Sequence, residues 1–328
     1  MEISKVPNLR VIMAAAWLVI FSLFVAFLVI AEQFLIPLIF AVLLWCLINA
    51  IEGSISRIQI AGMRLPRWLS FIITLIILGL AFNLIAGIIA SNVSKVVAVA
   101  PQYQQNLDRL LNNLPFGIKP EHVPAVDWLT KDLNIGLFIQ GAAREFAGIL
   151  GNIGLIIIYL VFLFLEQRYF GVKLRMAIGN DRNHFIIKNM MELIDRDTQR
   201  YVGLKTLISL ATALGSWFIM VWVGLEFASF WALLIFIFNF IPNIGSLVAT
   251  LLPVLLAMLQ FESVRPAVVV LFGIGSLQML IGNFLDPALL GKSLNVSPLV
   301  MVLSLVFWGV IWKIPGMFLA VPITVIIM

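Results

Sequence analysis

Apolar residues run in blocks of about twenty along most of this chain, and polar residues collect between the blocks. Residues 11–31 form the first block. Glu32 and Gln33 interrupt it, and 34–51 form the second, so the pair reads as a helical hairpin. Arg57, Arg64 and Arg67 fill the next loop, and 68–90 make a third block with Trp68 at its edge. Blocks at 146–165 and 206–224 give a fourth and a fifth span. Each has the length of an α-helix that crosses a bilayer.

Two polar segments break the series. Residues 91–145 hold Pro101, Pro115, Pro120 and Pro124, with Tyr103, Leu107, Leu110, Leu111 and Leu114 at helical spacing. They read as a small helical domain outside the membrane. Residues 166–205 carry many Lys and Arg, with Ile187, Met191, Ile194 and Tyr201 on one helical face. That amphipathic helix is expected to run into the fifth span. Glu166 marks the end of the fourth. Basic loops sit on the cytoplasmic side. The loop after the second span and the segment after the fourth share a side by parity. That side, and both termini, are therefore expected to be cytoplasmic.

The last third is apolar but interrupted. The stretch 227–261 is punctured by Asn239, Pro242, Asn243, Gly245 and Ser246. Its first arm rises only about 21 Å, short for a hydrocarbon core of about 30 Å. A re-entrant helical hairpin with its tip inside the membrane is expected. Residues 266–285 form a further span ending at Asp286 and Pro287. A second interrupted hairpin follows, 299–312 and 317–328, with its break at Lys313–Gly316. The tips NFIPNIG and WKIPGMF echo one another. Opposed hairpins with Pro/Gly tips are a pattern of secondary transporters, with the solute near the midplane. The fold class is thus an all-α polytopic membrane protein. It has about eight membrane helices, counting interrupted hairpins, plus small helical extramembrane segments. Its parts are 1–90, the outside domain 91–145, the fourth helix 146–165, the cytoplasmic 166–205 and a transport region 206–328.

Composition excludes the soluble alternative. The chain is 62% hydrophobic and 11% charged, with a mean hydropathy of +1.10, against about 25% charged for a soluble domain. The net charge of +5 reflects cytoplasmic loops. No basic run with interleaved aromatics points to nucleic acid. One cysteine, Cys46, excludes an intrachain disulfide, and His122 and His184 are too far apart for metal-ligand spacing. Phosphate-cradling loops, HExxH and an intramembrane Ser/His pair are absent, so neither a cofactor nor catalysis is expected.

Candidate pathway residues are the polar groups inside apolar stretches: Asn239, Asn243, Ser246 and Asn283. Two readings stand for them, helix–helix hydrogen bonds or contacts to a polar, uncharged solute. Asp286, an acid near membrane depth, is either functional or a helix-end residue paired with Lys292. Lys205 either snorkels to the interface or gates. Glu226 and Lys313 read as turn or interface residues, or as coupling groups. Phe238, Phe240, Trp308 and Trp312 offer apolar walls. Pro242, Gly245, Pro287, Gly309, Gly316 and Pro322 mark breaks and close approaches.

The segments YVGLKTLISLATALGSWF, FWALLIFIFNFIPNIGS, GNFLDPALLGKSLNVSPLVMVLSLVFWG and GMFLAVPIT resemble the autoinducer-2 exporter family of bacteria, the PerM-like permeases. The resemblance is specific over 199–328 and extends to the rest by layout. The IPNIGS turn and the LKT start of the fifth span look closest to the branch exporting autoinducer-2 itself; other branches are linked to sodium/proton antiport. The resemblance implies export of a small polyhydroxylated solute across the bacterial inner membrane by alternating access, and a homo-oligomer, with a pentameric ring expected. The alternatives are a sodium(lithium)/proton antiporter, with Asp286 as carrier, and a membrane scaffold that binds a partner through 91–145.

Overall fold

The computed structural model describes residues 9–57, 59–60, 63–112, 141, 148, 151–178, 181–242, 244–290 and 297–327. The expectations for His122, Asn243, Lys292 and most of 113–145 lie outside these residues. The elements run α1 (Leu9–Ile30), α2 (Glu32–Ile55), a ribbon of β1 (Gln59–Ile60) and β2 (Met63–Arg64), then α3 (Arg67–Asn112). After these come α4 (Ile153–Ile178), α5 (Asp181–Val223), α6 (Ala228–Phe238), α7 (Ile244–Phe261) and α8 (Val264–Leu280). A π-helical turn (Ile281–Leu285), α9 (Asp286–Leu290) and α10 (Pro298–Ile327) complete the chain. The all-α polytopic expectation holds, apart from the antiparallel ribbon, which pairs Gln59 with Arg64 in the basic loop.

Among the described residues, seven helical stretches are long and apolar enough to cross a membrane, counting the broken α10 as one. A pair within α4, bent by 63° between Ile153–Gln167 and Tyr169–Met176, makes an eighth. The bend falls where the apolar run stops. There Glu166 accepts from Lys173 at 2.8 Å, an exposed pair of little energetic weight. Large apolar side chains stay exposed along α1, α3, α4 and one face of α5, including Trp17, Leu80, Phe162 and Trp222. Water would not tolerate such a surface; hydrocarbon does.

One span differs from the sequence expectation. The third was expected to end at Ala90, but α3 continues as one helix to Asn112. Ser91, Asn92 and Lys95 end the apolar run without ending the helix, because polarity reports the solvent and not the backbone. As expected, the amphipathic segment and the fifth span are one helix, α5, about 64 Å long.

The molecule has a basic end, with Arg57, Arg67 and the first turns of α5, and a Glu226 end, reached by the α1–α2, α5–α6 and α7–α8 turns. The first interrupted hairpin is α6 and α7, which pack on each other. α6 is the centre of the fold: Phe230, Trp231, Leu233, Leu234, Ile235 and Phe238 are all buried. Its short length is tolerable because protein, not lipid, surrounds it. A Cβ on Gly245 would overlap the Phe238 carbonyl oxygen, so only glycine lets α7 begin there.

The second hairpin lies within α10. Trp312 and Lys313 leave helical geometry, with Lys313 at φ 53° and ψ −134°. Ser304 Oγ then donates to the Ala320 carbonyl at 3.2 Å. Sixteen residues of unbroken helix would separate those positions by about 24 Å, so 298–311 and 314–327 fold back as two short arms. Gly316 repeats the arrangement of Gly245, with its Cα against the Trp308 carbonyl. The echo between the two tips is therefore structural as well as sequential. The hairpins approach from opposite ends and touch where Phe240 meets Phe318, ring centroids 4.7 Å apart.

Candidate functional site

A stripe of polar residues runs along the buried face of α5. Thr198, Tyr201, Lys205, Ser209, Thr212 and Ser216 recur every three or four residues, and all are buried. That spacing keeps them on one helical face. Opposite them α6 and α8 both run antiparallel to α5. Trp217 Nε1 donates to Ser229 Oγ at 3.2 Å, and two turns further along Asn239 Nδ2 donates to Ser209 Oγ at 3.1 Å. The first hairpin tip thus stands level with Ser209, about 21 Å along α5 from Val223.

One turn from Ser209, Lys205 Nζ donates to Asp286 Oδ2 at 3.1 Å. The lysine is 8% exposed, and the aspartate side chain 25%. Lys205 therefore does not snorkel, and among the described residues Asp286 pairs with Lys205. The π turn explains how Asp286 gets there. Pro287 has no N–H and its ring crowds the carbonyl four residues back, so the regular ladder fails. The Asp286 N–H donates to the Ile281 carbonyl, five residues back. In a regular helix Asp286 would share a face with exposed Gly282 and Met279. The extra residue turns it beneath buried Ile281, facing α5.

The pair is incompletely satisfied. Burying two charges costs several kcal/mol per ion unless further bonds complete them. Lys205 has three donors and spends one here. Asp286 Oδ1 is buried without a partner among the described residues. Thr198 Oγ1, Ser216 Oγ, Trp231 Nε1, Gln278 Nε2 and Asn49 Nδ2 share that condition. All six sit on α2, α5, α6, α8 or α9, which pack together. Such orphaned polar groups mark the place where a polar ligand or water finds partners. Among the described residues no cluster of three or more His, Cys, Asp or Glu is placed to hold a metal ion.

The structure thus brings together Lys205, Asp286 and Asn239, with Pro242 and Gly245 shaping the tip and Ser246 half-buried just beyond it. Asn283 is exposed and is not brought to this layer. Trp308 is buried in the second hairpin, its ring 4.7 Å from Trp312. Glu226 lies at the opposite end. There Tyr103 Oη donates to Glu226 Oε2 at 2.7 Å, Asn106 to the Leu259 carbonyl at 2.9 Å, and Arg109 meets Glu262 at 3.4 Å. These bonds bind α3 to the rim of the first hairpin.

Burial, then the hydrogen bond and charge of Glu226, push the Tyr103 hydroxyl above its ordinary pKa. The folded state therefore holds this proton more tightly than the unfolded chain. The contribution is full below about pH 10 and declines as pH rises beyond it. Hydrogen exchange at the α3–α7 contact is expected to accelerate above that pH more in the wild type than in Tyr103→Phe. Equal acceleration in both would remove Tyr103 from the cause.

Sequence reasoning missed Ser209, Thr212, Ser216, Thr198 and Gln278. Their spacing was visible, but serine and threonine in membrane helices often bond back to their own helix, as Thr212 does to Ile208. Only the antiparallel neighbours show which of them face a partner.

Comparisons with known proteins show which family the chain belongs to. The AI-2 transport protein TqsA of Escherichia coli K12 is 28% identical, covering 98% of this chain and 91% of TqsA. YhhT of the same strain is 28% identical over 89% of this chain and 81% of its own. A Borreliella burgdorferi relative is 29% identical over 94% and 84%. The family model for AI-2E family transporters matches residues 18–328. The chain is a membrane-embedded protein of the AI-2E transporter family.

Proposed function

We propose that this chain exports autoinducer-2, a small oxygen-rich signal, across the bacterial inner membrane as a secondary transporter. The observation that carries the reading is the meeting of the first hairpin tip with the polar stripe. Asn239 bonds Ser209 one turn from an incompletely partnered Lys205–Asp286 pair. Amides, hydroxyls and a self-neutralised ion pair suit an uncharged polyol, which needs many hydrogen bonds and no net charge. Phe240 supplies an apolar wall nearby. TqsA, named for AI-2 transport, supports the substrate. The basic loops support a cytoplasmic position for the Lys205 end and both termini.

In this mechanism α1 to α3 form the frame. The opposed hairpins shift against it, so that the layer of Lys205 opens to one side and then the other. Solute hydroxyls replace the Ser209–Asn239 bond and take up the free oxygen of Asp286. The assembly is a homo-oligomer, with five copies expected from native mass spectrometry.

The test is autoinducer-2 flux from proteoliposomes. Flux above empty vesicles is expected, with a loss of roughly tenfold or more in Asn239→Leu, the scale of one buried hydrogen bond to a polar ligand. Flux no greater than in empty vesicles would sink the reading.

A second reading, cation–proton exchange, draws on the unpartnered Asp286 oxygen beside Lys205. It predicts gradient-driven cation exchange that Asp286→Asn abolishes, with no autoinducer-2 flux in the parent protein.

A further inference from the structure

The tip of the second hairpin stands beside the α1–α2 turn, at the Glu226 end. Trp312 Nε1 donates to the Leu28 carbonyl at 3.0 Å, which fixes the indole against α1. Around it lies a cavity of about 180 Å³, with Glu32, Gln33, Asn152 and Lys313 as its polar lining and Phe40 and Trp312 among its apolar walls. We infer that this cavity is a second binding site, for a small polyol, far from the Lys205–Asp286 pair. Ala50 of α2 abuts Gly203 of α5, close to Lys205. Glu32 stands at the other end of α2, so the two sites are about 27 Å apart.

Three observations point to a ligand. The first is chemistry. No side-chain hydrogen bond or ion pair engages Glu32, Gln33 or Lys313 among the described residues, although all three line one cavity. Asn152 spends only its amide N–H₂, on the Gly148 carbonyl, and keeps its oxygen free. The lining thus offers a carboxylate to accept from hydroxyls, an ammonium to donate to oxygens, and amides that do both. The indole and the Phe40 ring supply faces for C–H groups. That combination suits a neutral molecule with alternating carbon and hydroxyl positions, and gives an ion of either sign only one matching partner.

The second is size. A cavity of about 150 Å³ takes one benzene ring, so this one, at about 180 Å³, holds roughly seven non-hydrogen atoms of a small polyol. The third is strain. Lys313 sits at φ 53°, ψ −134°, a conformation that side-chain-bearing residues avoid. Glycine would adopt it freely, so the tip keeps a lysine at the cost of backbone strain. Retention of that cation beside Glu32 is what a ligand contact requires.

Export of a polyol, as proposed above, gives this site its ligand, and the position at the far end makes it a release subsite. The experiment separates the two ideas. Full-length protein is labelled with 5-fluorotryptophan, and the Trp312 resonance is assigned by Trp312→Phe. Autoinducer-2 is titrated into the purified protein. The Trp312 signal is expected to move with a dissociation constant near or below about 1 mM. The Glu32→Gln, Lys313→Met double variant is expected to weaken that midpoint at least tenfold, while Asn239→Leu leaves it unchanged. Lys313→Gly relieves the strain. It is expected to raise the thermal midpoint while losing the binding, a split that a purely structural lysine would not give. A Trp312 signal that never moves, or that moves equally in the double variant or in Lys313→Gly, overturns the site. Flux without a Trp312 shift removes this site and spares the export reading. A Trp312 shift without flux does the reverse.

Discussion

Replacing Asp286 with alanine should destabilise the protein by about 3–5 kcal/mol, because it leaves Lys205 charged, buried and alone. Lys205→Met should cost a similar amount, with Asp286 as the stranded ion. Lys205 is 8% exposed and hydrogen-bonded at 3.1 Å, so its charge cannot be released to solvent by a small rotation. The informative variant is the pair of changes together. Lys205→Met with Asp286→Leu removes both charges and their desolvation cost, and exchanging a buried pair for apolar residues is often neutral or stabilising. Folding should return, and transport should not. Thermal unfolding in detergent reads the first quantity and proteoliposome flux the second. A double variant that transports normally would show that the pair only holds α5 to α9. Equal stability of Asp286→Ala and the parent would show that water reaches the lysine.

The other large effect is expected at the two hairpin tips. A methyl group at Gly245 would overlap the carbonyl oxygen of Phe238, and one at Gly316 that of Trp308. Both obstacles are backbone atoms, so no rotamer change relieves them. Overpacking among side chains costs about 1–3 kcal/mol; Gly245→Ala and Gly316→Ala should each exceed about 3 kcal/mol and reduce the yield of folded protein. Gly53→Ala in α2 and Gly79→Ala in α3 meet nothing within 4 Å and serve as controls. Gly245→Ala protein that accumulates and unfolds like the parent would mean that α6 and α7 do not turn back as described.

The spans were legible because lipid imposes a single rule on the side chains, and twenty apolar residues in a row satisfy it. The interrupted hairpins were legible for a related reason. Pro242 with Gly245, and Pro315 with Gly316, free backbone groups close together, and lipid cannot satisfy them. The route of α3 beyond Ala90 was not. Hydropathy changes at Ser91, while hydrogen bonding along the helix does not. The site was legible only in pieces. Asn239 and Asp286 stand out as polar groups in apolar surroundings, but the partner of Asp286 lies 81 residues away in sequence. The chain offers Lys292 as a nearer candidate. Only the π turn decides which way the carboxylate faces, and its cause, Pro287, gives no sign of direction by itself. Lys313 was visible as a cation in a turn, whereas its strained backbone and the cavity beside it depend on where α1 and α2 meet.

The bonds from Tyr103, Asn106 and Arg109 to Glu226, Leu259 and Glu262 have a mechanical consequence. α3 is a single rod, about 69 Å long, more than twice the thickness of a hydrocarbon core, and riveted near its far tip to the first hairpin. A hairpin so fastened shifts against the α1–α3 frame only by tilting the rod or shearing the rivets. In the proposed mechanism, work done at the Lys205 layer would thereby reach the far end of α3. A binder that grips residues 100–112 would act as a brake on turnover from outside the membrane, without touching the solute path.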